Sequence, residues 1–521
     1  MEENLPHSLH DSIKEIRRKH NLHDESSDES SHQKTLCIAT LIVVIIFVTL
    51  CAMGYFLFEI AKKIKISNKH QHIHLSLTKN PQEMVITWTT YYDYHEFGYE
   101  PNVIYGKDRE NIKDTVYGKS NIFKDAKRKF ILFVHIVKLT NLDYNTTYYY
   151  QVGDSDTYSQ IFHFSTFPSS NNYDVKFCVI GNMDSTGMHI LNSTYYAIKS
   201  KECQLIIHVG DFSYKTLNEK ELHGDNLMHK IQYLSAYVPY MIIPGHEDIE
   251  DDDFLFYNKI FYMPYDNQRI SDIDHFYSFN IGFITFIGLS SEVYEYSSSY
   301  GCQPIIRQIR WLENELKEAL FNRRERPWII SYFHRPIYCL FKSGKERCID
   351  GENVLLRKGY KNIPGFENYF HNYNVDLIFY GHAHAYQRNY PIYNRTVYRY
   401  GDNIYYNPPA PTYILSGIGN CDDCSIDTYY KRIENSSPFE AKRSFEVGYT
   451  QVHVMNHTHI FIKYINTKFN KIEDSFWIVK DSYVNHSYSL TKEYIPFNDN
   501  LTIFEEMKKL YCKEPLYKRD R

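Results

Sequence analysis

Between residues 175 and 385 the chain repeats one pattern five times: a short apolar run, a turn, then side chains able to ligate a metal. Val175-Lys176-Phe177-Cys178-Val179-Ile180 is followed by Gly181-Asn182-Met183-Asp184, and Cys203 to Val209 by Gly210-Asp211-Phe212-Ser213-Tyr214. Met241-Ile242-Ile243-Pro244 is followed by Gly245-His246-Glu247-Asp248, and Trp328 to Phe333 by His334-Arg335-Pro336. Val375 to Tyr380 runs into Gly381-His382-Ala383-His384. Apolar runs of this length, bounded by turn residues, read as buried strands. Between them, Ile309, Trp311, Leu312, Leu316 and Leu320 have helix-face spacing. Strands alternating with helices argue for an α/β body whose strand ends meet at one edge, where ligands bind. His-x-His alone is weak, since it recurs at His70 to His74 and at His457-Thr458-His459. Five donor-bearing strand ends in series are hard to reach by chance.

Carboxylate, imidazole and phenol donors suit Fe, Zn or Mn rather than Ca or Mg. Asp211 is placed to bridge two ions at the spacing of about 3.5–4 Å found in two-metal phosphoryl sites. These blocks resemble those of the purple acid phosphatases, within the calcineurin-like metallophosphoesterases: Asp-x-Gly, Gly-Asp-x-x-Tyr, Gly-Asn-His-Glu/Asp, x-x-x-His and Gly-His-x-His. Their surroundings, His334-Arg335-Pro336-Ile337-Tyr338-Cys339 and Gly381 to Arg388, resemble the metazoan long form. The likeness runs from about 70 to 482.

The resemblance implies a ferric ion and a second divalent ion, Zn, Mn or Fe. It implies in-line attack by metal-bound hydroxide on phosphate monoesters, of small molecules or proteins, in mildly acid conditions. Asp211, Tyr214, His384 and the first-block residue, here Asn182, would hold the ferric ion. Asp211, His334, His382 and the third-block ligand would hold the other. Two blocks depart from the pattern. Asn182 stands where the family has Asp, and Asp184 where it has Gly. In Gly245-His246-Glu247-Asp248, an ungapped reading makes His246 a metal ligand and puts Glu247 in place of the catalytic His. A one-residue deletion would instead keep His246 as the catalytic acid and cost the site a ligand. The acidic run Glu247 to Asp253 reads as a solvated loop. The departures support one rival to an active phosphatase, a pseudophosphatase acting as a surface binding protein; a phosphodiesterase of the same superfamily also fits the metals, but Tyr214 and the sandwich disfavour it.

The rest of the chain sets the context. Residues 1–35 read as a disordered polar tail. Leu36 to Phe58 is an uncharged 23-residue apolar run, long enough to span a bilayer. It reads as an uncleaved transmembrane signal anchor at 36–58, with a stalk at 59–69. Four basic residues flank it on each side, so charge does not orient it. Seven Asn-x-Ser/Thr sequons (Asn145, Asn192, Asn394, Asn435, Asn456, Asn485 and Asn500) all come after it, favouring a type II protein with a lumenal or extracellular glycosylated body. Eight of the ten cysteines also come after it, which suits an oxidising compartment; Cys339 and Cys348 are spaced to staple a loop. Cys421-Asp422-Asp423-Cys424 has no second Cys-x-x-Cys to make a zinc site. Regular short strands from 70 to 168, such as Val85 to Thr90 and Tyr148 to Gly153, suggest a fibronectin type III-like β-sandwich. A metallophosphoesterase domain is expected at 173–482 and a C-terminal tail at 483–521. A net charge of −5 argues against a nucleic-acid partner.

Overall fold

The computed structural model describes residues 70–496, apart from 92–99, 126–129, 155–156, 170–172, 184–187, 213–222, 250–253, 266–269, 341–347, 362, 402, 418–436 and 481–489; it also describes residues 14–15, 18, 36 and 38–57. The chain divides into two units, Met1–Asn68 and Lys69–Arg521. In the first, Ile38–Leu57 is a helix long and apolar enough to cross a membrane, with its side chains exposed. Phe58, the last residue of the expected span, lies outside the described residues.

The second unit opens with two four-stranded antiparallel sheets. One runs in the order Gln71–Ser76, Met84–Tyr91, Phe130–Leu139, Lys119–Asp125, and the other Asp114–Tyr117, Asn102–Gly106, Thr147–Gly153, Phe162–Ser165. Trp88, Val103 and Tyr150, from both sheets, are fully buried. This β-domain is hydrogen-bonded to the segment around residues 232–236: the Tyr150 hydroxyl donates to the Ala236 carbonyl at 2.8 Å, and Ile73 N–H to Gln232 Oε1 at 2.9 Å.

Two seven-stranded sheets form the α/β body. The first has the order Tyr240–Ile243, Ile206–Val209, Val175–Ile180, Gly448–Val454, His459–Asn466, Lys471–Val479, Ile404–Tyr406. The second has Tyr277–Ile281, Ile284–Gly288, Trp328–Tyr332, Leu377–Tyr380, Thr412–Ser416, Tyr386–Asn389, Glu440–Ser444. The five donor-bearing strands are therefore shared between two sheets, three in the first and two in the second, rather than lying in one. Their apolar runs are near-continuous because both faces are covered. Phe177 of the first sheet packs edge-on against Phe286 and Phe379 of the second, with ring centres 5.2 and 6.2 Å apart.

Cys339–Cys348 is a disulfide, as its spacing suggests, and Cys178–Cys203 is a second. Cys421 and Cys424 lie outside the described residues. The folded body continues past residue 482: Leu490–Tyr494 pairs antiparallel with Thr396–Tyr400, and buried Arg395 donates to the Ile495 and Pro496 carbonyls. Sequence reading places this segment in a tail because the strand is short and polar.

Candidate metal centre

Asp211, His246, His334 and His382 converge where the two sheets meet, with one ligand atom from each lying within 4.8 Å of the others. Each hangs on its own turn. Asp211 follows Gly210, whose φ of +88° favours glycine; a Cβ there would stand 2.5 Å from His334 Nδ1. A Cβ on Gly245 would stand 2.2 Å from Asp211 Oδ1. Both turns thus need glycine to let the donors close up.

The donor atoms are tightly grouped. Asp211 Oδ2 is 2.9 Å from His246 Nδ1 and 3.1 Å from His334 Nε2. His334 Nε2 is 3.1 Å from His382 Nδ1 and 3.2 Å from His246 Nδ1, and the last two are 3.2 Å apart. These separations are close to the edge of about 3.3 Å of a tetrahedron drawn at a metal–nitrogen distance of about 2.0–2.1 Å. Asp211 Oδ2 is buried and makes no well-directed hydrogen bond despite two imidazole nitrogens at contact range. One carboxylate oxygen and three imidazole nitrogens crowded within 4.8 Å of one another fit a cation. His334 donates from Nδ1 to the Val209 carbonyl at 2.9 Å, which leaves Nε2 as the lone-pair nitrogen facing the cluster.

Charge agrees with this geometry. Burial opposes ionisation of Asp211, yet the neighbouring His334 and His246 hold its carboxyl well below the usual range. Burial, then the Arg335 guanidinium and the other imidazoles, hold His382 well below its ordinary value, so its ring is neutral, the ligating form. Burial works against charge on His246 too, but the carboxylates of Asp211 and Glu247 beside it raise it to about 10; a metal would have to displace that proton.

The remaining expected residues fall into three groups: in the cluster, beside it, and outside the described residues. His246 Nδ1 is in the cluster, which is where the ungapped alignment puts it. Glu247 is half-buried, its Oε1 3.2 Å from His246 Nε2, and its N–H donates to Asp211 Oδ1 at 2.9 Å. Asn182 is buried beside the cluster rather than in it; its Oδ1 accepts from the His382 N–H at 3.0 Å. His384 is outside the four-residue group, although Asp211 and His246 act on its titration; burial is the main cause that lowers it. Tyr214 and Asp184 lie outside the described residues.

Sequence reasoning missed three groups. Asp248, assigned to a solvated loop, is buried: its carboxylate accepts from the N–H groups of Asp211 at 3.1 Å, Phe212 at 3.0 Å and Gly245 at 2.7 Å. The acidic neighbours hid it, and burial together with the Asp211 charge pushes it up to about 7. Glu292 and Arg335 form a buried pair, Arg335 Nε lying 3.0 Å from both Glu292 oxygens and Nη1 3.3 Å from His382 Nε2. The signal for Glu292 was a sixth strand end, Ile284–Gly288 running into Leu289-Ser290-Ser291-Glu292.

A two-sheet α/β sandwich with a carboxylate–imidazole cluster at its strand ends defines a metallophosphoesterase. Residues 188–386 match the calcineurin-like phosphoesterase family, with flanking matches to the purple acid phosphatase N-terminal domain over 70–166 and to an iron/zinc purple acid phosphatase-like C-terminal region over 410–475. The chain belongs to the purple acid phosphatase family. It is 32% identical over 416 residues to acid phosphatase type 7 of Mus musculus, covering 79% of this chain and 91% of that one. Against the Homo sapiens protein of the same name it is 31% identical over 428 residues, covering 80% and 92%. A solved purple acid phosphatase from yellow lupin seeds superposes with a TM-score of 0.64 at 18% identity, over 79% of this chain and 75% of that one. Members of the family hydrolyse phosphoric monoesters at a dinuclear metal centre.

Proposed function

We propose that this chain is an acid phosphatase hydrolysing phosphate monoesters, and that Asp211, His246, His334 and His382 hold a divalent ion. The observation that carries this reading is the set of ligand separations of 2.9–3.2 Å around the unbonded Asp211 oxygen. Three imidazoles and one carboxylate suit zinc among the family's divalent choices. By the family pattern, Asn182, Asp211, Tyr214 and His384 would hold the second, iron-type ion. With Asn182 in place of Asp that site carries one negative charge fewer, so it favours a divalent over a ferric ion. Bound ions would supply Lewis acidity at the phosphoryl oxygen and lower the pKa of nearby water.

The protein's own groups do the rest. Asp211 serves both sites. His334, held by the Val209 carbonyl, keeps a neutral Nε2 aimed inward, and the neutral ring of His382 turns Nδ1 towards the cluster. Glu247, half-buried beside His246, takes the place of the family's leaving-group His; once it has taken up a proton from the mildly acid solvent, it would give that proton to the departing oxygen. The helix Ile38–Leu57 is a type II anchor, with the body lumenal or extracellular. The test is metal stoichiometry by mass spectrometry on the full chain purified without chelators, together with hydrolysis of p-nitrophenyl phosphate. Bound zinc with turnover that His334→Ala abolishes is the expected result. Metal-free protein, or turnover that survives His334→Ala, refutes it.

A further inference from the structure

A second cavity, of about 480 Å³, lies at the other end of the strands that carry His334 and His382. Its floor is the amino ends of Trp328–Tyr332, Leu377–Tyr380 and Thr412–Ser416, which run parallel. Its walls come from Arg323 and Arg324 after the helix Gln303–Phe321, from the loop Asn407 to Pro411, and from Lys480 at the end of Lys471–Val479. Pro408, Pro409 and Pro411 stiffen that loop, so the wall stands before any ligand arrives.

The lining is short of negative charge. Arg323, Arg324 and Lys480 face a single carboxylate, Asp376. Asp376 is already shared: it accepts from Ile329 N–H at 2.9 Å, from Arg323 Nη2 at 3.2 and 3.3 Å, and pairs with Lys480. Arg323 Nη1 is buried without a hydrogen-bond partner. Arg324 makes no ion pair among the described residues and is exposed at the mouth. Lys480 Nζ is fixed over the Trp328 ring at 4.2 Å and donates to the Pro327 carbonyl at 2.8 Å. Burial, helped by the Arg323 charge, pulls its ammonium down to about 8 despite Asp376. Guanidinium forks match tetrahedral oxyanions, and the volume is in the range of about 300–1,000 Å³ usual for small-molecule sites.

We propose that this cavity binds a phosphate group, free or on a small phosphate ester, at a site separate from the metal centre, held by Arg323, Arg324 and Lys480. A free phosphate ion and an ester offer the same headgroup, and the test separates them. The full-length metal-loaded protein is titrated calorimetrically with inorganic phosphate and, separately, with phenylphosphonate, a non-hydrolysable stand-in for an ester. Two binding events are expected for phosphate. Arg324→Gln, which removes an exposed side chain and no ion pair among the described residues, should weaken one of them at least about tenfold, the loss of one charge-assisted contact of about 1.5–3 kcal/mol. It should leave p-nitrophenyl phosphate hydrolysis unchanged. His334→Ala at the metal end should remove the other event and spare the first. Phenylphosphonate competing at the Arg324-dependent event assigns it to esters; binding of phosphate alone assigns it to the free ion. A single event insensitive to Arg324→Gln overturns the proposal. An Arg324-dependent event that persists while no event depends on His334 would sink the metal-centre reading and leave this one standing.

Discussion

Asp248 offers the sharpest test of the site's construction. Its carboxylate closes three backbone N–H groups, of Asp211, Phe212 and Gly245, and so ties the turn that carries Asp211 to the turn that carries His246. Asp248→Ala strands all three donors. A buried unsatisfied donor costs about 1–3 kcal/mol, which bounds the loss at about 3–9 kcal/mol. Part is returned, because the buried carboxyl that is pushed up to about 7 is no longer held in a dry site. A net cost near the lower end, about 3 kcal/mol, is the expected result. At about 2.1 cal/mol/K per residue, a body of this length unfolds with an entropy near 0.9 kcal/mol/K, so the midpoint should drop by about 3 °C. Differential scanning calorimetry on the metal-free protein reads this directly, and metal content should fall with it. Asp248→Asn keeps one oxygen as an acceptor and should lose about half as much. If Asp248→Ala melts within about 0.5 °C of the parent, as a change in a solvated loop would, the bracing role is wrong.

The other predictions concern neighbouring groups. Glu292→Gln leaves the Arg335 guanidinium buried without its counter-charge and should cost about 3–5 kcal/mol by chemical denaturation. Burial holds the His208 imidazole down to about 3, below its unfolded value of about 6.5, so the unfolded chain binds the extra proton. Its contribution to stability is intact above pH 6.5 and drains away as pH falls towards 3, the loss reaching about 2–3 kcal/mol by pH 4.5; thermal melts of His208→Gln across that range should show a flatter pH profile than the parent. His334→Ala should lower bound metal by at least one ion per chain and abolish hydrolysis, read by mass spectrometry and p-nitrophenyl phosphate turnover.

Much of the architecture was legible because strands covered on both faces write themselves as near-continuous apolar runs. Trp328 to Tyr332 and Val175 to Ile180 need no periodicity analysis to be seen. The partition of those strands between two sheets was not legible, since a run records burial and not its neighbour. The cluster was legible wherever a donor followed a glycine turn, as with Asp211, His246 and His382. Asp248 escaped because its acidic neighbours resemble a solvated run, and only the folded backbone shows the N–H groups aimed at it. Arg335 and Glu292 escaped because a buried ion pair joins residues 43 apart in sequence, a distance over which composition carries no signal.

The cluster draws Asp211 and His246 from one sheet and His334 and His382 from the other, with a separate turn beneath each. Such a centre is modular. One turn can exchange its donor while the other three keep their places, because no two donors share a helix face or a strand register. On the ungapped alignment, His246 is such a single-module exchange, altering the electron richness of one position while the other three donors stay in place. A centre built this way can have its metal preference changed one turn at a time.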